Sequence, residues 1–202
     1  MNKRLLLLMA WTLGGAGLTG CVDLRPKGDP SRIFVLTTLP EPAAGEGNGM
    51  PPGVTVGIRA VRLPAYLQQD RVAVRRGENE IVYSDYDRWA EPLERGLMRT
   101  FAANLRAVPG AGRVFEGPVS KGTVDLELEL QVDEFVVDTS GLATVQVRCQ
   151  FWPAPETPMM PIRLQAQGPA PATDMPGSIA ALSSLLGEVS RQVAGRLVSG
   201  GR

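Results

Sequence analysis

The chain has 202 residues, 21 basic and 21 acidic side chains, two cysteines and no histidine. That length suits one domain with tails and needs neither disulfides nor a structural metal. Balanced charge without a long basic run argues against a nucleic-acid partner. The lack of histidine removes Ser-His and Cys-His catalysis, the imidazole general base and the commonest transition-metal ligand.

Lys3-Arg4 opens a stretch that turns apolar from Leu5 to Leu13 and then small from Gly14 to Gly17. The apolar run is shorter than the roughly 20 residues of a permanent spanning helix, and glycines interrupt it, so residues 1–20 read as a cleaved signal peptide. Leu18-Thr19-Gly20-Cys21 resembles the bacterial lipobox, an apolar residue and two small ones before a cysteine. The resemblance implies cleavage before Cys21, an S-linked diacylglycerol there and an N-linked acyl chain of the palmitate kind. Buried acyl chains contribute roughly 0.8 kcal/mol per methylene, so two or three hold a protein on its bilayer. Val22 rather than Asp follows the cysteine, which by similarity to lipoprotein sorting signals implies the outer membrane, facing the periplasm. With Lys3 and Arg4 removed, 19 basic residues stand against 21 acidic ones.

Residues 21–31 are the lipidated cysteine and a tether whose charge, Gly28 and Pro30 do not form a core. Residues 32–200 are expected to form a single domain. Arg32 to Leu36 is a first strand, Pro40 to Gly53 a Pro/Gly loop, and Val54 to Arg62 a half-buried second strand. Arg71–Arg75 and Glu80–Tyr83 form a hairpin around Gly77-Glu78-Asn79. From Arg88 the period becomes helical: Trp89, Leu93, Leu97, Phe101 and Leu105 make one apolar stripe, which Pro109-Gly110 ends.

Val124 to Val132 alternates cleanly, and its phase slips at Asp133-Glu134 as an inserted bulge residue would make it. Strands through Val145–Phe151 and Ile162–Ala166 complete a meander, and a closing helix runs from about Ser178 to Leu197. The expected fold is an α/β (α+β) sandwich, a largely antiparallel sheet packed by two long helices.

Little here points to chemistry. Neither a Gly-x-x-x-x-Gly-Lys phosphate loop nor a Gly-x-Ser-x-Gly elbow is present, so no enzyme activity is expected. Asp125, Glu127 and Glu129 lie two apart on one strand face, where alternating acids keep a sheet soluble; no metal site is expected. With Cys21 lipidated, Cys149 has no disulfide partner, and its phase beside Val147 and Phe151 makes it a buried hydrophobe. Tyr66 and Trp152 are candidate partner-binding residues, Trp152 because it falls on the outward phase just before Pro153. Trp89 reads as core.

Val61-Arg62-Leu63-Pro64-Ala65-Tyr66-Leu67, Val72-Ala73-Val74-Arg75, Arg88-Trp89-Ala90-Glu91-Pro92-Leu93 and Asn104-Leu105 together resemble the PqiC family, auxiliary lipoproteins of Pqi-type transporters. Phe34-Val35 stands where that family commonly has an aromatic pair. The resemblance implies a non-catalytic outer-membrane lipoprotein without cofactors beyond its lipid. It further implies homo-oligomers and a PqiB-like, periplasm-spanning MCE-domain partner in intermembrane lipid transport. The alternative is a lipoprotein activator of a cell-wall synthase, which needs a tether long enough to cross peptidoglycan. Val22 to Ser31 spans at most ~35 Å.

Overall fold

The computed structural model describes residues 29–38, 50, 52–120, 122–153, 159–171 and 174–199. The expected signal peptide, Cys21, the expected tether as far as Gly28, most of the Pro40–Gly53 loop and Gly200 lie outside them.

The strands are β1 (Arg32–Phe34), β2 (Val56–Arg62), β3 (Arg71–Arg75), β4 (Ile81–Trp89), β5 (Val114–Glu116), β6 (Leu126–Asp138), β7 (Leu142–Pro153) and β8 (Ile162–Pro169). The helices are α1 (Leu93–Arg106) and α2 (Met175–Ser199), and a short 3-10 turn spans Ala65–Leu67. All eight strands join one sheet.

β6 organises that sheet. Leu126, Leu128, Leu130 and Val132 are buried and alternate with Glu127, Glu129 and Gln131 on the other face, as period-2 geometry requires. Its pairing with β7 shifts register between Val132 and Glu134, so Asp133 is the bulged residue. One edge of β6 carries β7, followed by β8, in the antiparallel meander. Its other edge is shared. β2 runs parallel to Leu126–Gln131, and β3 runs parallel to Val137–Asp138. β3 and β4 form the expected hairpin, with β1 added parallel to β4 at one margin.

The two longest ladders, β6–β7 and β7–β8, are thus antiparallel, and parallel pairings of β1, β2, β3 and β5 make the sheet mixed. β5, which adds parallel to β2, has no counterpart in the sequence reading. Three residues are too few to show a period.

Both helices cover one face. α1 packs on β2 and β5, α2 on β7 and β8, and the helices touch each other. Leu93, Leu97, Phe101 and Leu105 from α1 and Ile179, Leu182, Leu186, Val189 and Val193 from α2 are buried in the common core. Within that apolar layer Asn104 Nδ2 donates to Ser190 Oγ at 3.4 Å, and Ser190 Oγ donates to the Leu186 carbonyl at 2.7 Å. Satisfied in this way, the polar pair fixes the rotation of one helix against the other.

One expectation is corrected. The helical period does not begin at Arg88, because Arg88 and Trp89 are still strand, paired with Ile33 and Phe34 of β1. Pro92 occupies the N-cap, and Leu93 is the first helical residue. Trp89 is core as expected, but it closes β4 and its ring meets Phe135 with centroids 6.3 Å apart at 49°. Its spacing of four from Leu93 mimicked a helical stripe by coincidence of phase.

Candidate functional site

The face of the sheet opposite the helices carries most of the polar chemistry. Thr55 donates its backbone N–H to the Asp125 carboxylate at 2.8 Å. Arg59 lies 3.6 Å from Glu127, and Arg62 bonds Glu129. The acids of this strand are therefore each engaged within the sheet, and among the described residues no group of three or more His, Cys, Asp or Glu is placed to hold a metal ion. Arg75 pairs with Glu134, and Arg148 bonds Asp133 at 2.7 Å. The Arg148 hydrogen bond, opposed by desolvation, holds the Asp133 carboxyl below its ordinary value.

Tyr66 sits at the junction in this face. It projects from the 3-10 turn that carries the chain from β2 to β3, and its hydroxyl donates to the Asp133 carbonyl at 3.2 Å. That carbonyl falls between Gln131, the last residue paired with β2, and Val137, the first paired with β3. A phenol thus supplies a donor where the shared edge of β6 has no strand partner. Tyr83 Oη in turn donates to the Tyr66 carbonyl at 3.0 Å. Partial burial raises the Tyr66 phenol pKa, so the hydroxyl remains a donor throughout the physiological range. The sequence singled out Tyr66 as an aromatic anchor, and its structural duty was invisible there because it depends on two strands sharing one edge.

Trp152 lies on the outward phase, opposite Glu127 in the β6–β7 ladder, and is partly exposed. The Arg59 guanidinium stands 5.1 Å from its ring centroid, a cation–π contact that fixes the indole. Just beyond, Met159 donates its backbone N–H to the Phe151 carbonyl at 3.0 Å, which holds the Met159 backbone beside the end of β7, with Met160 following it. Those methionines are 46% and 85% exposed. An indole, two thioethers and an arginine at one strand end make an adaptable apolar surface of the kind protein partners use. Sequence reasoning found Trp152 and missed Arg59 and the methionines. The signal available was an adjacent Met pair between Pro158 and Pro161, in a stretch without periodicity.

Cys149 is fully buried, and desolvation pushes its thiol pKa up to about 12, so it is an inert core side chain. A cavity of about 140 Å³ opens between β3, β4 and the start of α2, lined by Val72, Val74, Val137, Ile179 and Leu182, with Arg32, Asp87 and Asp138 among its polar groups. It falls short of the roughly 300–1,000 Å³ of small-molecule sites. Burial acts to raise the Asp87 pKa, but bonds from Arg32 at 2.6 Å and Ser84 at 2.6 Å outweigh it and leave the carboxyl lowered. Among the described residues no helix is long and apolar enough to cross a membrane.

Crystal structures of two other proteins are among those that share this fold. One, of an uncharacterized protein, has a TM-score of 0.67 at 15% identity and covers 83% of this chain and 98% of its own. The other, of a Xanthomonas campestris protein of the DUF330 family, scores 0.66 at 19% identity and covers 84% and 97%. No curated protein matches the sequence. The family model for the ABC-type transport auxiliary lipoprotein component matches residues 34–194, from β1 to the last turns of α2. With most of the sheet, all of α1 and most of α2 inside that match, the chain belongs to the ABC-type transport auxiliary lipoprotein family.

Proposed function

We propose that this protein is a non-catalytic component of an MCE-type intermembrane lipid transport system, anchored through lipid on Cys21 to the outer membrane and facing the periplasm. Family membership over residues 34–194 carries this reading. The lipobox-like Leu18-Thr19-Gly20-Cys21 supplies the attachment. In this role the Trp152, Met159 and Met160 surface meets a PqiB-like, periplasm-spanning partner, and several copies form a collar that receives its end. The acyl anchor keeps that collar at the membrane.

Co-purification from solubilised native membranes tests the proposal. The expected result is recovery of an MCE-domain protein with the wild type, and loss of that recovery with Trp152→Ala at unchanged abundance. Deletion of the protein is expected to slow lipid exchange and raise envelope permeability. Recovery of a cell-wall synthase, or unchanged exchange and permeability on deletion, overturns it.

A further inference from the structure

The sheet margin opposite the β7–β8 side has an unusual surface. On β1, Arg32 and Phe34 face the helices: Arg32 bonds Asp87, and Phe34 packs on the core. Alternation therefore turns Ile33 and Val35 to the other face, where they are 62% and 51% exposed. On β4 the same alternation around buried Asp87 and Trp89 turns Tyr86 and Arg88 outward; Tyr86 is 55% exposed, and Arg88 is in register with Ile33. Arg71 stands opposite Arg88 across the next ladder. Exposed Ile33 on the marginal strand, Val35 just after it and Tyr86 on the neighbouring strand are the reverse of the usual defence of sheet edges, which relies on lysine, proline or charge.

Chain length bounds how far this margin can stand from Cys21. Ile33 lies twelve residues after Cys21, so even a fully extended backbone keeps it within ~43 Å of the lipidated sulfur. A short tether holds the first strand at high effective concentration over one particular surface. Tyrosine, and arginines able to snorkel, suit the boundary of a bilayer. Arg88 already faces Asp70 at 3.8 Å, and Asp85 is exposed nearby, so the margin has little net charge and apolar contact dominates.

We propose that Ile33, Val35 and Tyr86, flanked by Arg71 and Arg88, rest on the lipid surface to which Cys21 is attached. The patch is too small to hold the domain on a membrane unaided. The anchor supplies attachment, and the patch supplies orientation. The β7–β8 side lies four or five strand spacings across the sheet, roughly 19–24 Å, so the patch is separate from the Trp152 surface. The inference rests on the lipidation of Cys21 and deepens the proposed role.

The test uses the full lipidated protein in phosphatidylcholine vesicles, with a polarity-sensitive thiol fluorophore at Ile33→Cys, at Val35→Cys as a second site, and at Gln165→Cys on exposed β8 as the control. Buried Cys149 does not react, and an S-lipidated Cys21 takes no label. The expected result is a blue shift and several-fold quenching by nitroxide-bearing lipid at positions 33 and 35, neither at 165, and little change when phosphatidylglycerol or salt is added. Protein that floats with the vesicles while its probes at 33 and 35 stay water-like overturns the patch and leaves the anchor standing. Labelling of the parent protein at Cys21, with no flotation, overturns both. A blue shift that appears without vesicles and grows with protein concentration assigns the margin to a second copy and also overturns the proposal.

Discussion

Replacing Tyr66 with phenylalanine removes a single atom from the place where β2 and β3 divide the edge of β6. The ring stays, the Tyr83 bond to the Tyr66 carbonyl stays, and only the 3.2 Å bond to the Asp133 carbonyl is lost. A net hydrogen bond is worth about 0.5–1.5 kcal/mol, and a buried acceptor left unpaired costs more. Tyr66 is half-buried and water reaches part of this region, so the expected loss is about 1 kcal/mol. For a domain of this size that lowers Tm by about 2–4 °C. Urea unfolding followed by far-UV ellipticity should show a lower midpoint at an unchanged slope. Tyr83→Phe should act in the same direction, and the double variant should lose less than the sum, because both bonds hold the same residue, Tyr66, in place. A Tyr66→Phe midpoint indistinguishable from wild type refutes the claim that the phenol completes the β6 edge. Normal recovery of a transport partner with this variant would separate that duty from any docking role of the ring.

Other expectations follow from single contacts. Cys149 should stay unmodified by a thiol reagent at pH 8 and react fully in denaturant; Cys149→Val should cost under about 1.5 kcal/mol, and Cys149→Ser more, because a hydroxyl replaces the thiol in an apolar layer. Asp133 has its folded-state pKa below the unfolded 3.8, so its stabilisation is complete above about pH 4 and drains as pH falls through the lower folded value. The gap in Tm between wild type and Asp133→Asn, worth under about 1 kcal/mol at neutral pH, should therefore narrow below pH 4 and stay constant from pH 5 to 8. At Gly112 a Cβ would collide with the Val54 carbonyl oxygen, so Gly112→Ala should destabilise by about 1–3 kcal/mol in a thermal melt, since backbone must move to admit it.

Much of this fold is written in local periodicity. The alternation of β6, the slip at Asp133, the meander through β8 and the stripe of α2 all follow from side chains that must face the core or water. Periodicity does not name a strand's partner, however. The parallel placement of β2 and β3 on one edge of β6, and of β1 beside β4, depends on chain crossings that no single segment encodes. Trp89 was misassigned because a residue four before Leu93 satisfies a helical stripe and a strand end equally well. At the candidate site, Trp152 was legible from its outward phase, whereas Tyr66 acquired its bond from topology. The exposed side of β1 was hidden for a related reason: three residues reveal their facing only once Asp87 and the core have claimed Arg32 and Phe34.

All of the functional account requires that residue 21 carry lipid. Mass spectrometry of the N-terminal peptide from protein isolated from its native host's membranes addresses this directly. The account predicts a chain beginning at Cys21, with a diacylglycerol on sulfur and an acyl chain on the amine. A free thiol at that position, or a chain that still retains Met1 to Gly20, contradicts it.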